Sequence, residues 1–190
     1  MSTFYVLFSR NFNQFQSTIH FGRLDTLLIK PIDTQFLLSC WHIGYTQLIR
    51  FSIGVFFLIY MLNKIHLQIT LLTLVGLFCI VILSVVIMYS FWFIMMTLTI
   101  WFTKLSNMVD LLYAINSVSR FPQDIYKGAS AFLMFALFPL TLIITVPARV
   151  ILNKMLIGDV VWPIIFSVGM LFCARKFWKF ALRYYTSASG

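Results

Sequence analysis

Side chains that could catalyse a reaction or hold a metal are few in this chain, and they are scattered. The histidines His20, His42 and His66 share no spacing that is typical of metal ligands. No GxxxxGK[ST], HExxH or GxSxG motif occurs. We therefore expect no catalytic residue, no metal site and no cofactor bound by this chain. The cysteines lie in apolar runs without CxxC spacing, which indicates apolar filler rather than zinc ligands or disulfides: Cys40, Cys79 and Cys173.

Four long apolar runs are the elements that would position any functional residues of the chain. Hydrophobic residues make up 61% of the chain and charged residues 10%, which excludes an ordinary soluble domain. A helix needs about 20 apolar residues to cross a bilayer. The sequence predicts an all-α fold, a polytopic transmembrane helical bundle in a single membrane domain, 1–190. The predicted spans are about 36–62, 69–95, 129–147 and 160–182.

The basic residues predict how these spans are oriented. The chain has a net charge of +9, and cytoplasmic loops carry most Lys and Arg in membrane proteins. One side of the predicted topology carries ten basic residues and the other three, so residues 1–35, the loop 104–127 and both termini are predicted to be cytoplasmic. The excess of positive charge is explained by basic residues that flank the membrane spans, and we expect no binding to nucleic acid.

The second run, 69–103, is longer than one span requires and carries no formal charge. Two spans joined by a hairpin are one interpretation. However, no Gly or Pro lies between Leu77 and Thr103 to turn the chain, and a second span would reverse the charge asymmetry. The pattern therefore favours one long helix.

The segment before the first span predicts a short amphipathic helix. Leu24, Leu27 and Leu28 recur at helical spacing, and Pro31 stops the helix. Asp33 or Thr34 is expected to cap the next helix. Residues 1–21 mix polar and aromatic side chains and lack the apolar core of a signal peptide.

Polar residues also interrupt the first run on one helical face: Ser39, His42, Thr46 and Arg50. This stripe either lies at the cytoplasmic boundary or lines a transport path, and the sequence favours the boundary. Later in the chain, Pro122 followed by Asp124 predicts a second cytoplasmic helix. Pro147 predicts a break in the third span, followed by an outer re-entrant segment at 147–159. Asp159 is expected to cap the fourth span.

Several short motifs resemble those of the ABC-2 type permeases, and most closely the bacterial ABC-2 family transporter proteins. The stretch Gly22–Pro31 resembles their G-x-L-D-x-x-L-x-[KR]-P element. Phe91-Trp92 resembles their F-W pair, and Arg120–Pro122 their R-F-P. Pro147-Ala148 with Gly158, and Arg183–Gly190, are similar to the remaining landmarks, in the family order along the chain.

The resemblance implies the permease subunit of an ATP-binding-cassette exporter in the bacterial plasma membrane. It would pair with itself or a sister permease and with ATPase subunits that bind ATP and Mg²⁺. Family members have two further spans before the Gly22 element, so the chain is expected to be truncated, a fragment or one piece of a split permease. The implied ATPase-coupling residues are Gly22, Arg23, Leu24, Asp25, Leu28, Lys30, Pro31, Arg120, Phe121, Pro122 and Asp124, and the implied outer re-entrant residues are Pro147, Ala148 and Gly158.

Two alternatives stay open at this point. The Gly22–Pro31 helix could lie on the membrane, with Arg23 and Lys30 near anionic headgroups, instead of docking in an ATPase groove. The whole chain could be a non-transporting scaffold or immunity protein, or an inactive permease fragment. A hydrophobic or amphipathic substrate is the expectation if the chain transports, because the spans are so apolar.

Overall fold

The computed structural model describes Phe8 and residues 10–40, 45–64, 71–101, 110, 114, 146–147, 149–150 and 157–185. Over these residues the chain is helical and contains no strand, as the sequence predicts. The helices are α1 (Arg10–His20), α2 (Arg23–Leu28), α3 (Thr34–Cys40), α4 (Tyr45–Lys64), α5 (Leu71–Thr97) and α6 (Ile157–Tyr184). A 3₁₀ turn, Leu98–Ile100, extends α5.

Helix α1 was missed by the sequence analysis. Phe8, Phe12, Phe15 and Ile19 follow one another at intervals of four, three and four residues, which places them on one helical face. Phe12, Phe15 and Ile19 are buried. The helix exists because this stripe is covered by other parts of the chain, since eleven residues alone form a marginal helix in water.

Gly22 makes the joint between α1 and α2. Its φ of 64° lies in the left-handed region, which residues with a side chain rarely adopt. The Gly22 amide donates to the Ile19 carbonyl, and the Asp25 amide donates to the Gly22 carbonyl. The left-handed conformation of Gly22 therefore lets α2 begin only two residues after α1 ends.

The second joint, between α2 and α3, follows the predicted signals. Helix α2 ends at Leu28, three residues before Pro31. The Asp33 carboxylate accepts hydrogen bonds from the amides of Gln35 at 3.0 Å and Phe36 at 3.3 Å. These amides would otherwise lack an acceptor at the start of α3. The expected cap is therefore confirmed, with Asp33 rather than Thr34 providing it.

Helix α5 confirms the single long helix predicted for the second run. It continues for 27 residues without a break, which corresponds to about 40 Å at 1.5 Å per residue. Helix α6 has 28 residues and contains Pro163 within it. The expected cap at Asp159 was wrong, because the helix already includes Ile157 and Gly158.

Helices α5 and α6 form the most extensive pair among the described helices, and they run parallel. At one end Trp101, which follows the 3₁₀ turn after α5, has its ring centroid 6.2 Å from that of Tyr184. Further in, Phe93 lies 5.4 Å from Trp178. Residues that come late in α5 therefore meet residues that come late in α6. We call the end that holds Trp101 and Tyr184 the aromatic end of the pair.

The remote part of α5 carries a separate small cluster. Ile80, with Leu77 beside it, packs against Val146 and Val150. These four residues are aliphatic, whereas the cluster near the aromatic end contains Phe, Tyr and Trp as well as Ile, Leu and Met. The chain around Pro147 therefore lies beside the half of α5 that is remote from Trp101.

Two helical stretches of the described residues, Val75–Ile100 and Val160–Tyr184, are long and apolar enough to cross a membrane. They fall on the second and fourth predicted spans. Helix α4 covers the second part of the first predicted span and ends two residues beyond it, at Lys64. Most of the third span, 129–147, lies outside the described residues. The cysteines are free and exposed, so they lie on helix surfaces and do not fill the core: Cys40, Cys79 and Cys173.

Candidate functional site

The candidate site is the segment α1–α3, which packs across the aromatic end of α5 and α6. Phe12 contacts the rings of Tyr89, Trp92 and Phe93, at centroid distances of 6.0, 6.0 and 6.3 Å. The interplanar angles range from tilted to edge-on, which is the favourable arrangement for aromatic pairs. Trp92, the tryptophan of the F-W motif, is fully buried beneath this ring.

Phe15 joins α1 to both long helices at once. Its ring lies 5.9 Å from Phe93 and 6.0 Å from Trp178, edge-on to each. All three side chains are at most 1% exposed. Each buried aromatic pair adds about 0.5–1.5 kcal/mol beyond the burial of its surface, so this triangle holds the segment firmly on the pair.

A polar network makes the second connection between the segment and α6. The Arg175 guanidinium forms a two-pronged ion pair with the Asp33 carboxylate, with Nη1 donating to Oδ1 at 2.7 Å. The same Nη1 donates to the Gln35 side-chain oxygen at 3.1 Å. A hydrogen-bonded fork of this kind fixes geometry as well as charge. Arg175 therefore ties α6 to the residue that caps α3.

The network continues inward from Gln35. The Gln35 side-chain amide donates to the Tyr89 hydroxyl at 3.1 Å, and Ser39 Oγ lies 2.9 Å from the same hydroxyl. Asn11 Nδ2 donates to the Ser39 carbonyl at 2.7 Å. Gln35, Ser39 and Asn11 are all buried, and the bonds meet the requirement that buried polar groups have partners. Helices α1, α3 and α5 are thereby linked.

The charge of Asp33 is stabilised by its surroundings. The Arg175 hydrogen bond has the largest effect and lowers the pKa of the Asp33 carboxyl. Burial, the next largest effect, raises this pKa, and the amides of Phe36 and Gln35 lower it further. Asp33 is thus ionised at neutral pH, and it serves as helix cap and ion-pair partner together. The capping role of Asp33 was predicted from the sequence, but its ion pair was not, because the partner Arg175 lies 142 positions away.

Helix α2, the predicted coupling helix, has three distinct faces. Leu24 is fully buried in the core cluster, with Leu27, Leu182 and Tyr185 partly buried around that cluster. Leu24 is therefore unavailable to a partner in this structure, contrary to the expectation that it fills an ATPase groove. Desolvation raises the pKa of the Tyr185 hydroxyl, and Asp25 beside it adds to the effect.

The second face of α2 borders a cavity of about 310 Å³ that is shared with α1 and α3. Arg23, Thr26, Leu27 and Lys30 provide this face. They follow one another at intervals of three, one and three residues, which is the pattern of one helical stripe. The predicted coupling residues Arg23 and Lys30 thus line a cavity.

The third surface consists of Leu28 at the end of α2 and of residues directly before and after the helix, and it carries exposed apolar side chains. We call Phe21, Leu28, Ile29 and Ile32 the outward set; they are 69%, 39%, 83% and 52% exposed. Arg23 lies over the Phe21 ring at 5.9 Å. Large apolar side chains left exposed together mark surfaces that another molecule covers. Leu28 was predicted to dock, Phe21 and Ile32 were not, and the exposed Pro31 lies between Ile29 and Ile32.

The remaining predicted site residues are far from this segment or are not described. Pro147 follows Val146, which packs against the remote part of α5. In α6, a Cβ on Gly158 would lie 3.5 Å from the Trp162 ring, an ordinary contact. Arg120, Phe121, Pro122, Asp124 and Ala148 lie outside the described residues. Among the described residues no group of three His, Cys, Asp or Glu could hold a metal ion.

Comparison with known proteins identifies the family. A family model described as ABC-2 family transporter protein matches residues 1–189. No curated protein and no solved structure matches the chain. Proteins of this family are helical membrane subunits and are distinct from the ATPase subunits of their transporters. The chain therefore belongs to the ABC-2 family transporter proteins, and it is a membrane permease component of an ABC transporter.

Proposed function

We propose that this chain is the permease subunit of an ATP-driven exporter, and that the outward set on α2 docks into a separate ATPase subunit. The observation that carries the proposal is the exposure of Phe21, Leu28, Ile29 and Ile32 on a segment that is fastened to both long helices. ATP and Mg²⁺ would bind to the partner. Movement of that partner would reach the spans through α2.

The fastening of the segment supports transmission of force. A coupling element must move with the spans, and here it is held by Leu24 in the core, by Phe15 between Phe93 and Trp178, and by the Asp33–Arg175 ion pair. Packed interiors resist deformation. A push on Ile29 would therefore shift α5 and α6 as a body, which suits a rigid-body switch.

The composition of the candidate spans supports an external energy source. Val75–Ile100 and Val160–Tyr184 contain no Asp, Glu or His, and proton-driven transporters use such residues inside the membrane. The same apolar surfaces favour a hydrophobic or amphipathic substrate. An ATPase partner would supply the energy for transport, since these spans carry no residues suited to proton coupling.

The charge distribution supports a cytoplasmic position for the aromatic end, and with it for both termini. Arg23 and Lys30 belong to the segment at this end, and α6 brings Lys176, Lys179 and Arg183 there. Basic residues accumulate on the cytoplasmic side of bacterial plasma-membrane proteins. The contact of Val146 and Val150 with Ile80 supports an outer position for the re-entrant segment 147–159. The four-span topology and a second coupling element at Arg120–Asp124 are part of the proposal.

Helix α4 supports a further partner within the membrane. Its described side chains are exposed along its length, including Ile53, Phe56 and Tyr60, and it forms none of the more extensive helix contacts. In a membrane these side chains would meet lipid, a second copy of the chain or a sister permease. Such pairing would follow the arrangement expected for a half-transporter.

The test is co-purification of an ATPase with the full chain from its native membrane in mild detergent. Leu28→Asp with Ile29→Asp is expected to lower recovery of the ATPase more than about tenfold, because two exposed apolar contacts become buried charges at the interface. The matched control is Leu28→Met with Ile29→Leu, which keeps the apolar surface and should retain the ATPase.

Two results would overturn the proposal. Recovery of the same amount of ATPase with the Asp variant would show that the outward set does not dock. Recovery of the wild-type chain alone, from a preparation in which another permease keeps its ATPase, would favour a scaffold or inactive fragment. Membrane insertion of every variant is checked by resistance to alkaline extraction.

A further inference from the structure

The last turns of α6 present a row of basic side chains to the outside. Lys176, Lys179 and Arg183 follow one another at intervals of three and four residues, which places them on one helical face. All three are exposed, and we call them the basic stripe. The Lys176 ammonium lies over the Phe172 ring at 5.3 Å, a contact that leaves its charge in place. The stripe is therefore a positive surface about 10 Å long at 1.5 Å per residue.

A row of aromatic rings lies beside the basic stripe. Phe180 and Tyr184 each follow a residue of that stripe in the sequence, so they lie about 100° further round the helix. Their ring centroids are 4.9 Å apart, and the Trp101 ring lies 6.1 Å from Phe180 and 6.2 Å from Tyr184. We call these three residues the aromatic stripe. They are 38–58% exposed, so both stripes are open to the same surroundings.

The carboxylates of the described residues are held elsewhere. Asp33 forms its ion pair with Arg175, and Asp25 lies beside the Tyr185 hydroxyl. Asp159, the only acidic residue of α6, is at the other end of the helix. Within the part of the chain that the structure describes, the basic stripe forms no ion pair with a carboxylate. Its three positive charges therefore face outward without an anionic partner from these residues.

The length of α6 places both stripes at the boundary of a bilayer. The candidate span Val160–Tyr184 has 25 residues, or about 37 Å, whereas the hydrocarbon core is about 30 Å thick. Trp162, which is 53% exposed, lies about 33 Å from Tyr184 along the helix at 1.5 Å per residue. Exposed Trp and Tyr side chains mark the two interfaces of a membrane protein. The stripes therefore lie at the level of the lipid headgroups.

We propose that the two stripes bind anionic phospholipid headgroups in the leaflet that meets the aromatic end. The basic stripe attracts the phosphates, and the aromatic stripe packs at the level of the glycerol and ester groups. A second copy of the chain is a poorer occupant, because the same stripe on that copy would bring like charges together. Bound lipid would fix the depth and tilt of α6, and this holds whether or not the chain transports.

The test is photo-cross-linking of the purified full chain in vesicles of equal phosphatidylglycerol and phosphatidylcholine. Phe180 is replaced by p-benzoylphenylalanine, and mass spectrometry identifies what is captured. We expect phosphatidylglycerol to be captured at least about fivefold more than phosphatidylcholine, because one basic residue near anionic lipid is worth about this factor. The matched control places the same group at Val168, which is 65% exposed on the same helix and about 18 Å deeper. There the two lipids should be captured within about twofold of each other.

Three further variants separate the stripe from general attraction. Lys179→Gln with Arg183→Gln should lower the preference at Phe180 to within about twofold of that at the control position. Lys179→Arg with Arg183→Lys keeps both charges and should retain the preference. Lys30→Gln with Lys64→Gln removes the same charge from exposed residues outside α6 and should leave the preference unchanged.

Three outcomes would overturn the inference. Equal capture of the two lipids at the Phe180 position would show that the stripes do not select anionic headgroups. Equal losses in the two pairs of Gln variants would indicate attraction by net charge rather than by this surface. Capture of a second copy of the chain in place of lipid would identify the surface as a protein interface.

Discussion

The inner and outer faces of the α1–α3 segment are both rich in large apolar residues, yet they have opposite surroundings. Phe12 on the inner face is 0% exposed, and Phe21 on the outer face is 69% exposed. Phe12 meets three aromatic rings of α5, whereas Phe21 lies beneath the Arg23 guanidinium. The same type of side chain stabilises the fold in one place and is left exposed in the other.

Apolar character alone therefore does not determine what a residue packs against. The inner residues are buried because Tyr89, Trp92, Phe93 and Trp178 form a surface that complements them. The outer residues have no such surface within the described chain. Under the proposed function, the inner face holds the segment and the outer face receives the movement of the ATPase.

The largest expected difference in stability is that between the variants Phe12→Ala and Phe21→Ala, each made singly. Phe12→Ala should lower the free energy of unfolding in detergent by about 3–5 kcal/mol, because it leaves a cavity beneath α1. Phe21→Ala should cost less than about 1 kcal/mol, since it removes an exposed ring and one cation–π contact. Equal losses in the two variants, measured by titration with a denaturing detergent, would contradict the distinction between the faces.

A smaller effect is expected from the ion pair that joins the segment to α6. Asp33 and Arg175 have side chains 41% and 40% exposed, so solvent screening limits their coupling to about 1 kcal/mol. A double-mutant cycle with Asp33→Asn and Arg175→Gln measures it. Additive effects of the two substitutions would show that the pair does not tie the segment to α6.

The same pair gives this contribution a defined pH dependence. The Arg175 hydrogen bond lowers the pKa of Asp33 in the folded protein. The stabilisation is therefore present above the unfolded pKa of about 4, and it is lost as the pH falls through the lower, folded value. The Asp33→Asn variant should lack this acid-dependent loss, and an identical acid profile in both proteins would assign the loss to other groups.

The smallest perturbation compares the accessibility of single introduced cysteines, in a chain whose native cysteines are replaced by serine. Ile29→Cys, at a site 83% exposed, should react with a membrane-impermeant maleimide in inverted vesicles. Leu24→Cys, at a fully buried site, should react only after denaturation. Reaction of Ile29→Cys in right-side-out vesicles would place the segment on the outer side and reject the proposed orientation.

Local signals in the sequence predicted part of this arrangement. The stop at Pro31 and the cap at Asp33 involve residues within a few positions of each other. The unbroken course of α5 after Leu77 follows from the lack of Gly and Pro between Leu77 and Thr103. The helical spacing of Phe8, Phe12, Phe15 and Ile19 is also present in the sequence. It was missed because polar side chains are interspersed with the aromatic ones in residues 1–21. The Asp33–Arg175 pair joins residues 142 positions apart, so only the folded chain defines it.

The surroundings of each face of α2 could not be predicted from the sequence for a related reason. The spacing of Leu24, Leu27 and Leu28 shows an apolar side of a helix, but it does not show which leucine meets the core. Leu24 is buried, Leu27 borders the cavity and Leu28 is exposed. That division depends on where α1, α3 and the end of α6 lie around the helix.

The parallel course of α5 and α6 has an electrostatic consequence. Each helix carries a dipole whose C-terminal end is equivalent to about half a negative charge. Because the two helices are parallel, both negative ends lie at the aromatic end of the pair. The last turn of α5 contains no basic residue, whereas that of α6 contains Arg183. Arg183 therefore stands where two dipoles favour positive charge, which is worth about 0.3–1 kcal/mol in the final turn of a helix.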